Sequence, residues 1–594
     1  MDAPPLDRDD HRDRRLALLV LLVAFLVYNA NLRLIATGDS YPARFIPFAI
    51  WAHGTVYLDP VLEATIQRHP APYWVQPTVN GHRASMFPIV TPVLVAPLYL
   101  PAVLYLKAAG WNQADLERVG ILMEKLTASL VTSLAVALMY LVLRRRLAVR
   151  HALLLTAIFA FGTGSWSTSS QALWLHAVAD FMAVAALWLV TGEPTRMRVV
   201  LAGAAVGLLA ANRPPDLFIA LGFSAYALFW ARRKTPLFAI GGLVPGLLVL
   251  AYNLISFHHP MGSWGTTIGA AFFHNPILQG IAALLVSPGR GLFVFWPFLL
   301  FVPWGVALGL RDRQSRLLTL CLLGGVLMHL VFYGRTDWRG GGSYGPRYML
   351  DMVPLLIWLL APVLPAFERI KSGEIARTVF LALALFAAGV EFIGAFLYQG
   401  TSNQILFHKG LYPFEASNFW VWRNTPYLIE ARNPRPPSNI LHALRHLGEP
   451  MPPPPPPENV LSLKPVSSSP PRAGTASDFY TVAPCRVLDT RGSPPLQAGN
   501  ARTVRIAGAA CGIPEAAVAV AANFTTVGAT SRGLVTLRAD ADRDSLELRF
   551  QEAISLSTQI ILPLAPDGSI TVATRGGGKA YFILDVSGYF LPAG

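Results

Sequence analysis

Stretches of about 20 apolar residues, each long enough to cross the core of a bilayer, recur through the first two thirds of the chain and are separated by short arginine clusters. So many uniformly apolar segments do not fit a set of soluble cores, and the chain reads as a polytopic membrane protein. Composition agrees: 53% of the 594 residues are hydrophobic, 14% are charged, and the mean hydropathy is +0.45. The formal net charge of +14 resembles that of a nucleic-acid binder until its placement is considered. Much of it lies at the ends of apolar stretches, where it sets orientation. Nucleic acid is therefore not an expected partner, and the lipid bilayer is.

The first apolar run, Leu16 to Ala36, follows a basic tail. Residues 1–15 should stay in the cytoplasm, and Asp39 should emerge on the far side. No small-residue cleavage site precedes Asp39, so the run reads as a retained anchor, not a signal peptide. Further cytoplasm-facing markers are Arg144-Arg145-Arg146, Arg196 with Arg198, Arg232-Arg233-Lys234, Arg311 to Arg316 and Glu368 to Arg377. If Val119 to Leu143 returns to the triple arginine, residues 37–118 form a large extracytoplasmic first loop. Met86 to Lys107 then reads as interfacial or re-entrant, because Pro88, Pro92, Pro97 and Pro101 each lack a backbone donor. Alternation onward predicts about eleven crossings within residues 16–400, including a short hairpin that turns at Asn212 to Asp216.

Residues 401–475 read as an extracytoplasmic linker in which Trp420 and Trp422 hug the outer surface and a run of six prolines forms a stiff spacer. In residues 476–594, seven short β-branched runs alternate with glycine and aspartate turns, the pattern of a β-sandwich. Cys485 and Cys511 lie in this region and can pair only outside the reducing cytoplasm, where the charge-derived topology puts them. The expected fold is thus a polytopic α-helical membrane bundle followed by an extracytoplasmic all-β sandwich.

Arginine is biased toward the cytoplasm, so arginines on the outer side of this topology call for an explanation. Arg44, Arg83, Arg213, Arg290, Arg335, Arg339 and Arg347 all fall there. Their forked donors match phosphate oxygens; snorkelling, or pairing with Asp216, Asp337 or Asp351, would account for them equally well. The densest cluster runs from Gly334 to Tyr348 and holds Arg339, three adjacent glycines, Tyr344 and Arg347. Glycines let backbone amides approach an anion, and they also make tight turns. Asp39 could serve as a general base or could cap the next helix. His53, Asp59, Glu63, His69 and His82 follow it, and with Asp39 some of them could hold a divalent metal ion, although no tight ligand spacing appears. Trp166 and Trp174 read as interfacial anchors. His176 and Asp180 share a helix face and could line a cavity or join helices.

Taken together, the charged first loop beginning at Asp39, the proline-rich stretch, the return span ending in Arg144-Arg145-Arg146 and the hairpin at Arg213 resemble the GT-C class of integral-membrane glycosyltransferases. That class includes protein O-mannosyltransferases and aminoarabinose transferases. The resemblance covers roughly residues 10 to 400. It implies an inverting transfer of a sugar from a polyprenyl-phosphate donor to a cell-envelope acceptor, glycan, lipid or protein, at the outer face of a bacterial cytoplasmic membrane. Asp39 matches the class's catalytic position; Arg44, His53, Asp59, Arg83, His176, Arg213, Arg290, Arg339, Tyr344 and Arg347 become the expected substrate-binding set. Where many members carry an acidic pair, Asp39 is followed by Ser40. The C-terminal region is similar to a β module of secreted bacterial proteins, through Pro484 to Arg491, Cys511 to Pro514 and Leu584 to Phe590. A flippase for lipid-linked glycan and a membrane anchor presenting a glycan-binding module are the rival readings. Against them stand charges crowded on one surface and far more spans than an anchor needs.

Overall fold

The computed structural model describes residues 10–66, 72–267, 273, 275–407, 416–449, 477–493, 500–530, 533–539, 546–550, 556–575 and 579–592. His69 and residues 451–475, most of the expected proline spacer, lie outside them. The chain divides into a helical unit and a β unit.

Among the described residues, six helices of the helical unit are long and apolar enough to cross a membrane: Val90–Ala108, Gln113–Arg144, Arg232–Phe257, Arg316–Arg335, Arg347–Phe367 and Gly373–Phe396. Four shorter apolar helices accompany them, Val149–Phe161, Leu175–Val190, Ile277–Val286 and Pro297–Arg311. The first helix, Asp10–Asn29, exposes Leu18, Leu19, Leu22 and Leu26 along its outer side, the pattern of a surface meant for lipid. The longest, Gln113–Arg144, starts where the Asn112 side chain accepts the Asp115 amide at 2.8 Å and extends about 48 Å at the ordinary helical rise.

Charge clusters distant in sequence meet at one end of this unit. Asp13 pairs with Arg144 at 2.8 Å, Arg146 with Asp312 at 3.0 Å, and Arg150 with Glu368 at 2.5 Å. The Lys234 ammonium reaches the Pro194 carbonyl. Opposite charges placed at helix ends satisfy one another there without entering the apolar middle.

Past the first helix the chain turns into the helix Tyr41–His53, which ends at Gly54 with φ of 64°. Phe45, Phe48, Ala49 and Ala52 share one face of this helix; the first three are buried and Ala52 is half-buried, but Ile46 and Pro47, off that face, are buried too. Burial thus extends round the first two turns of the helix, while Trp51 and His53 near its end stay exposed. Trp51 donates to the Ala96 carbonyl at 2.7 Å, tying it to the proline-rich run. That run, expected to be interfacial, is three helical pieces in series, Val90–Val95, Ala96–Tyr99 and Leu100–Ala108. Pro97 and Pro101 each occupy the first turn of a piece, where a missing N–H costs nothing, so the run keeps a length and composition sufficient to cross. Strands β1 (Val75–Pro77) and β2 (Arg83–Ser85) form an antiparallel hairpin in the same loop.

Residues 416–449, expected to belong to the linker, pack as part of the helical unit. Asn439 both donates to and accepts from the Leu34 backbone at 2.8 Å, and the Gly448 amide donates to Asp115 at 2.9 Å. Buried Glu430 accepts the Ser402 amide and hydroxyl at 2.8 and 2.6 Å. Polar side chains scattered through an irregular stretch give no periodic signal, which is why composition alone reads it as a linker.

The β unit comprises β3 (Ser477–Asp489), β4 (Ala501–Arg505), β5 (Ala519–Val527), β6 (Gly533–Arg538), β7 (Leu546–Phe550), β8 (Leu556–Pro563), β9 (Ser569–Arg575) and β10 (Tyr581–Pro592). They form two antiparallel four-stranded sheets, ordered β3-β10-β5-β8 and β4-β9-β6-β7. Val520, Phe524, Val535, Val572 and Phe582 are among the residues of the core. Strand β3 is additional to the seven the sequence shows. Pro484 interrupts its alternation, and it is tolerated because β3 is an edge strand whose register against β10 shifts nearby.

Cys485 on β3 is bonded to Cys511, 26 residues on, with Cα atoms 5.7 Å apart. Cys511 has φ of 81°, a strained value for a residue with a side chain. Closing a loop of that size contributes about 3.5 kcal/mol in the chain-entropy account. Replacing both cysteines with serine in the full chain should therefore lower amide-exchange protection in β3 while leaving Gln113–Arg144 unchanged; unaltered exchange in β3 would contradict the assignment.

Candidate active site

Asp39 occupies a turn in which the Ser40 amide bonds the Thr37 carbonyl at 3.0 Å. Ser40, not Asp39, holds the N-cap position of the next helix, without a side-chain capping bond, so the Asp39 carboxylate is available for other partners. Tyr73 donates to Asp39 Oδ1 at 2.7 Å, and Arg347 donates to Oδ2 at 2.6 Å. Gly38 permits this arrangement, since a Cβ there would sit 2.4 Å from the Tyr73 hydroxyl. Arg347 opens the turn Arg347–Met352, and its guanidinium lies 4.9 Å from the centre of the Trp174 ring and 5.6 Å from that of Tyr348. Residues 308 positions apart thus share one ion pair.

The pair lines a cavity of about 280 Å³ whose walls also include His176, Arg213 and Tyr333. Arg213 donates to the Tyr333 hydroxyl at 2.8 Å, lies 3.1 Å from His176 Nδ1 and is ion-paired with Asp351. Asp351 also bonds His176 at 2.8 Å. Beside the cavity runs an apolar groove of about 710 Å³, and Met86, Phe87, Pro88, Pro214 and Trp264 border both.

Burial pushes the Asp39 carboxyl upward, but the Arg347 charge, with hydrogen bonds from Arg347 and Tyr73, outweighs it and holds the pKa below the ordinary aspartate value. Asp39 is therefore a carboxylate at neutral pH. The Tyr73 phenol moves the other way, raised by burial and by the adjacent Asp39 charge, so it remains a proton donor.

The other sequence-derived candidates lie outside the lining of this cavity. Arg44 pairs with Glu124 at 2.5 Å, its side chain 7% exposed and that of Glu124 fully buried; it locks the helix Tyr41–His53 onto Gln113–Arg144. His53 packs edge-on against Trp111. Asp59 accepts the Arg83 amide at 2.9 Å and pairs with His82 at 3.4 Å, closing the β1–β2 hairpin onto the chain before it. Arg339 is paired with Asp337 at 2.6 Å. Tyr344 donates to the Val390 carbonyl at 2.7 Å. Arg290, buried, donates to the carbonyls of Arg339 and Gly341 and to Asn403. In the glycine cluster, Gly340 and Gly341 adopt φ of 76° and 64°, and the cluster turns the Arg339 and Gly341 carbonyls, not its amides, toward Arg290. Tyr73 and Tyr333 went unnoticed in the sequence, whereas Tyr348 ends the glycine cluster and Asp351 is one of the pairing partners weighed for the outer arginines, here taken by Arg213. Trp174, read there as an anchor, supplies the ring beneath Arg347.

No family model and no curated protein matches the chain. Among solved structures it is similar to ArnT from Cupriavidus metallidurans in the apo state, with 15% sequence identity, a TM-score of 0.41, and coverage of 72% of this chain and 74% of that one.

Removing Glu124 leaves the buried Arg44 guanidinium with only Glu117, at 3.9 Å, as a counter-charge, and breaking such a buried pair costs about 3–5 kcal/mol. Glu124→Ala should accordingly lower the thermal transition of the detergent-solubilised chain, and Arg44→Met with Glu124→Leu should recover most of the loss. A Glu124→Ala protein as stable as the parent would show the pair to be incidental.

Proposed function

We propose that the chain is a GT-C-type membrane glycosyltransferase that moves a sugar from a polyprenyl-phosphate donor to a cell-envelope acceptor on the extracytoplasmic face. The supporting observation is the Asp39–Arg347 pair at 2.6 Å in a cavity bordered by an apolar groove. A carboxylate, a guanidinium and an apolar channel are what an acceptor hydroxyl, a leaving phosphate and a prenyl tail require. In this account eleven crossings leave the amino terminus in the cytoplasm and the disulfide-bearing β unit outside, where thiols oxidise.

The donor phosphate competes with Asp39 for Arg347, whose Nε is buried without an acceptor. Once Arg347 turns to phosphate, Asp39 loses the charge that depressed its pKa and becomes a stronger base. The acceptor hydroxyl gives its proton to Asp39, its oxygen bonds the anomeric carbon from the face opposite the phosphate, and the bond from that carbon to the phosphate oxygen breaks. Arg347, with Arg213 beside it, stabilises the charge developing on the departing phosphate in a site poor in water, which should lower the barrier more than hydroxyl activation does.

Asp39→Asn should reduce sugar transfer in membranes supplied with labelled polyprenyl-phosphate sugar by at least about 100-fold, the scale of a lost general base, while the protein still inserts. Unchanged turnover would remove Asp39 from the mechanism; movement of lipid-linked glycan across vesicles without transfer would point to a flippase. Because the carboxylate is the active form, activity is retained above its pKa and falls as pH drops through it. Tyr73→Phe and Gly38→Ala both remove a hydrogen bond that holds this pKa down, so both should shift the acid limb of the pH profile to higher pH. A shift to lower pH, or none in either variant, would contradict the arrangement.

A further inference from the structure

Behind the cavity wall lies a second group of side chains that the transfer chemistry does not use. Asp216 ends the turn Pro214–Asp216, His329 projects from the helix Arg316–Arg335, and Asp351 sits on the turn Arg347–Met352. All three are fully buried, and one ligand atom from each falls within 4.8 Å of the others. We infer that Asp216, His329 and Asp351 form a divalent-metal site, of the zinc or manganese class, that sets the position of the cavity wall.

Two observations beyond the clustering point to a cation. First, both carboxylate oxygens of Asp216 are buried without a hydrogen-bond partner. The neighbouring guanidinium of Arg213 is engaged by Asp351, His176 and Tyr333. Asp180, also buried, has one oxygen bonded by Ser169 and the other unpartnered. Buried carboxylates thus outnumber the cations facing them, a condition that proteins relieve by pairing or by binding metal. Second, His329 directs Nδ1 to the Pro215 carbonyl at 3.3 Å and Nε2 to the Tyr348 carbonyl at 3.2 Å. A neutral imidazole has one N–H, so one of its lone pairs faces an acceptor. Metal bound at Nδ1, which lies 3.8 Å from Asp216 Oδ1, would use that lone pair and leave the other N–H donated to a carbonyl, the usual support of a metal-bound histidine.

One nitrogen and two carboxylate oxygens suit zinc or manganese better than calcium, which takes an all-oxygen shell. Bond lengths near 2.1 Å place tetrahedral ligand atoms about 3.4 Å apart, so side-chain rotations that draw the three together would close the site. Its effect on the cavity would run through Asp351, which holds both Arg213 and His176 on the wall. The metal is a positioning group in this arrangement, and its presence does not depend on the transfer reaction.

The test uses the full-length chain in detergent, stripped with a chelator, incubated with Zn²⁺ or Mn²⁺ alone, desalted and assayed for metal. The parent should retain one ion per chain of at least one of the two metals, and its thermal transition should rise on loading. Asp216→Asn and His329→Gln should each lose the retained ion, whereas Asp59→Asn, which alters the exposed pairing with His82, should keep it. X-ray absorption at the metal edge should show nitrogen and oxygen neighbours only. A parent that retains neither metal overturns the site, and so does retention by both buried-site variants. No sugar donor enters the measurement, so failure here is distinct from failure of the transferase assignment.

Discussion

The helical unit is organised around one ion pair that it can neither expose nor omit. Asp39 and Arg347 come from opposite ends of that unit's sequence, and their side chains are 26% and 10% exposed. A lone charge at that depth would be costly, and the two together neutralise each other while remaining at the wall of a cavity. The surrounding choices follow from keeping the pair in register. Gly38 leaves room for the Tyr73 hydroxyl, Trp174 lies under the guanidinium, and Gly345, with φ of 66°, delivers Arg347 to the turn that opens the next helix.

Other arginines on this side do the same physical job in a different place. Arg44 clamps the first-loop helix to Gln113–Arg144 through Glu124, Arg290 gathers the carbonyls of the glycine cluster, and Arg213 binds Asp351. Each is held by protein acceptors. In the proposed mechanism Arg347 differs because its carboxylate partner, Asp39, is the reacting base and an incoming anion exchanges with it. On that mechanism, function comes from which guanidinium has a replaceable partner, not from how many guanidiniums are present.

Much of this was legible in the sequence because membrane insertion writes it in long strokes. Apolar runs and charge clusters mark the helices, and the clusters do converge at one end of the unit. Asp39, Arg347, Arg213 and His176 were singled out and share one cavity. His53, Asp59, Arg83, Arg290, Arg339 and Tyr344 were singled out on the same grounds and lie elsewhere, because exposure to the outer side is a property of sequence while convergence is a property of packing. Tyr73 and Tyr333 carried no signal, since an aromatic residue in a loop or helix looks the same whether it packs or donates a proton. The burial of Asp216, His329 and Asp351 was equally hidden, as three distant segments meet only after folding.

The central claim is that Arg347 exchanges its carboxylate partner for a prenylated phosphate. A cryo-electron microscopy map of the full chain bound to a polyprenyl phosphate tests it most directly. The account predicts phosphate density within hydrogen-bond distance of Arg347, a separated Asp39, and the prenyl chain in the groove beside Pro88 and Trp264. Lipid density elsewhere on the protein, with the Asp39–Arg347 pair intact, would contradict it.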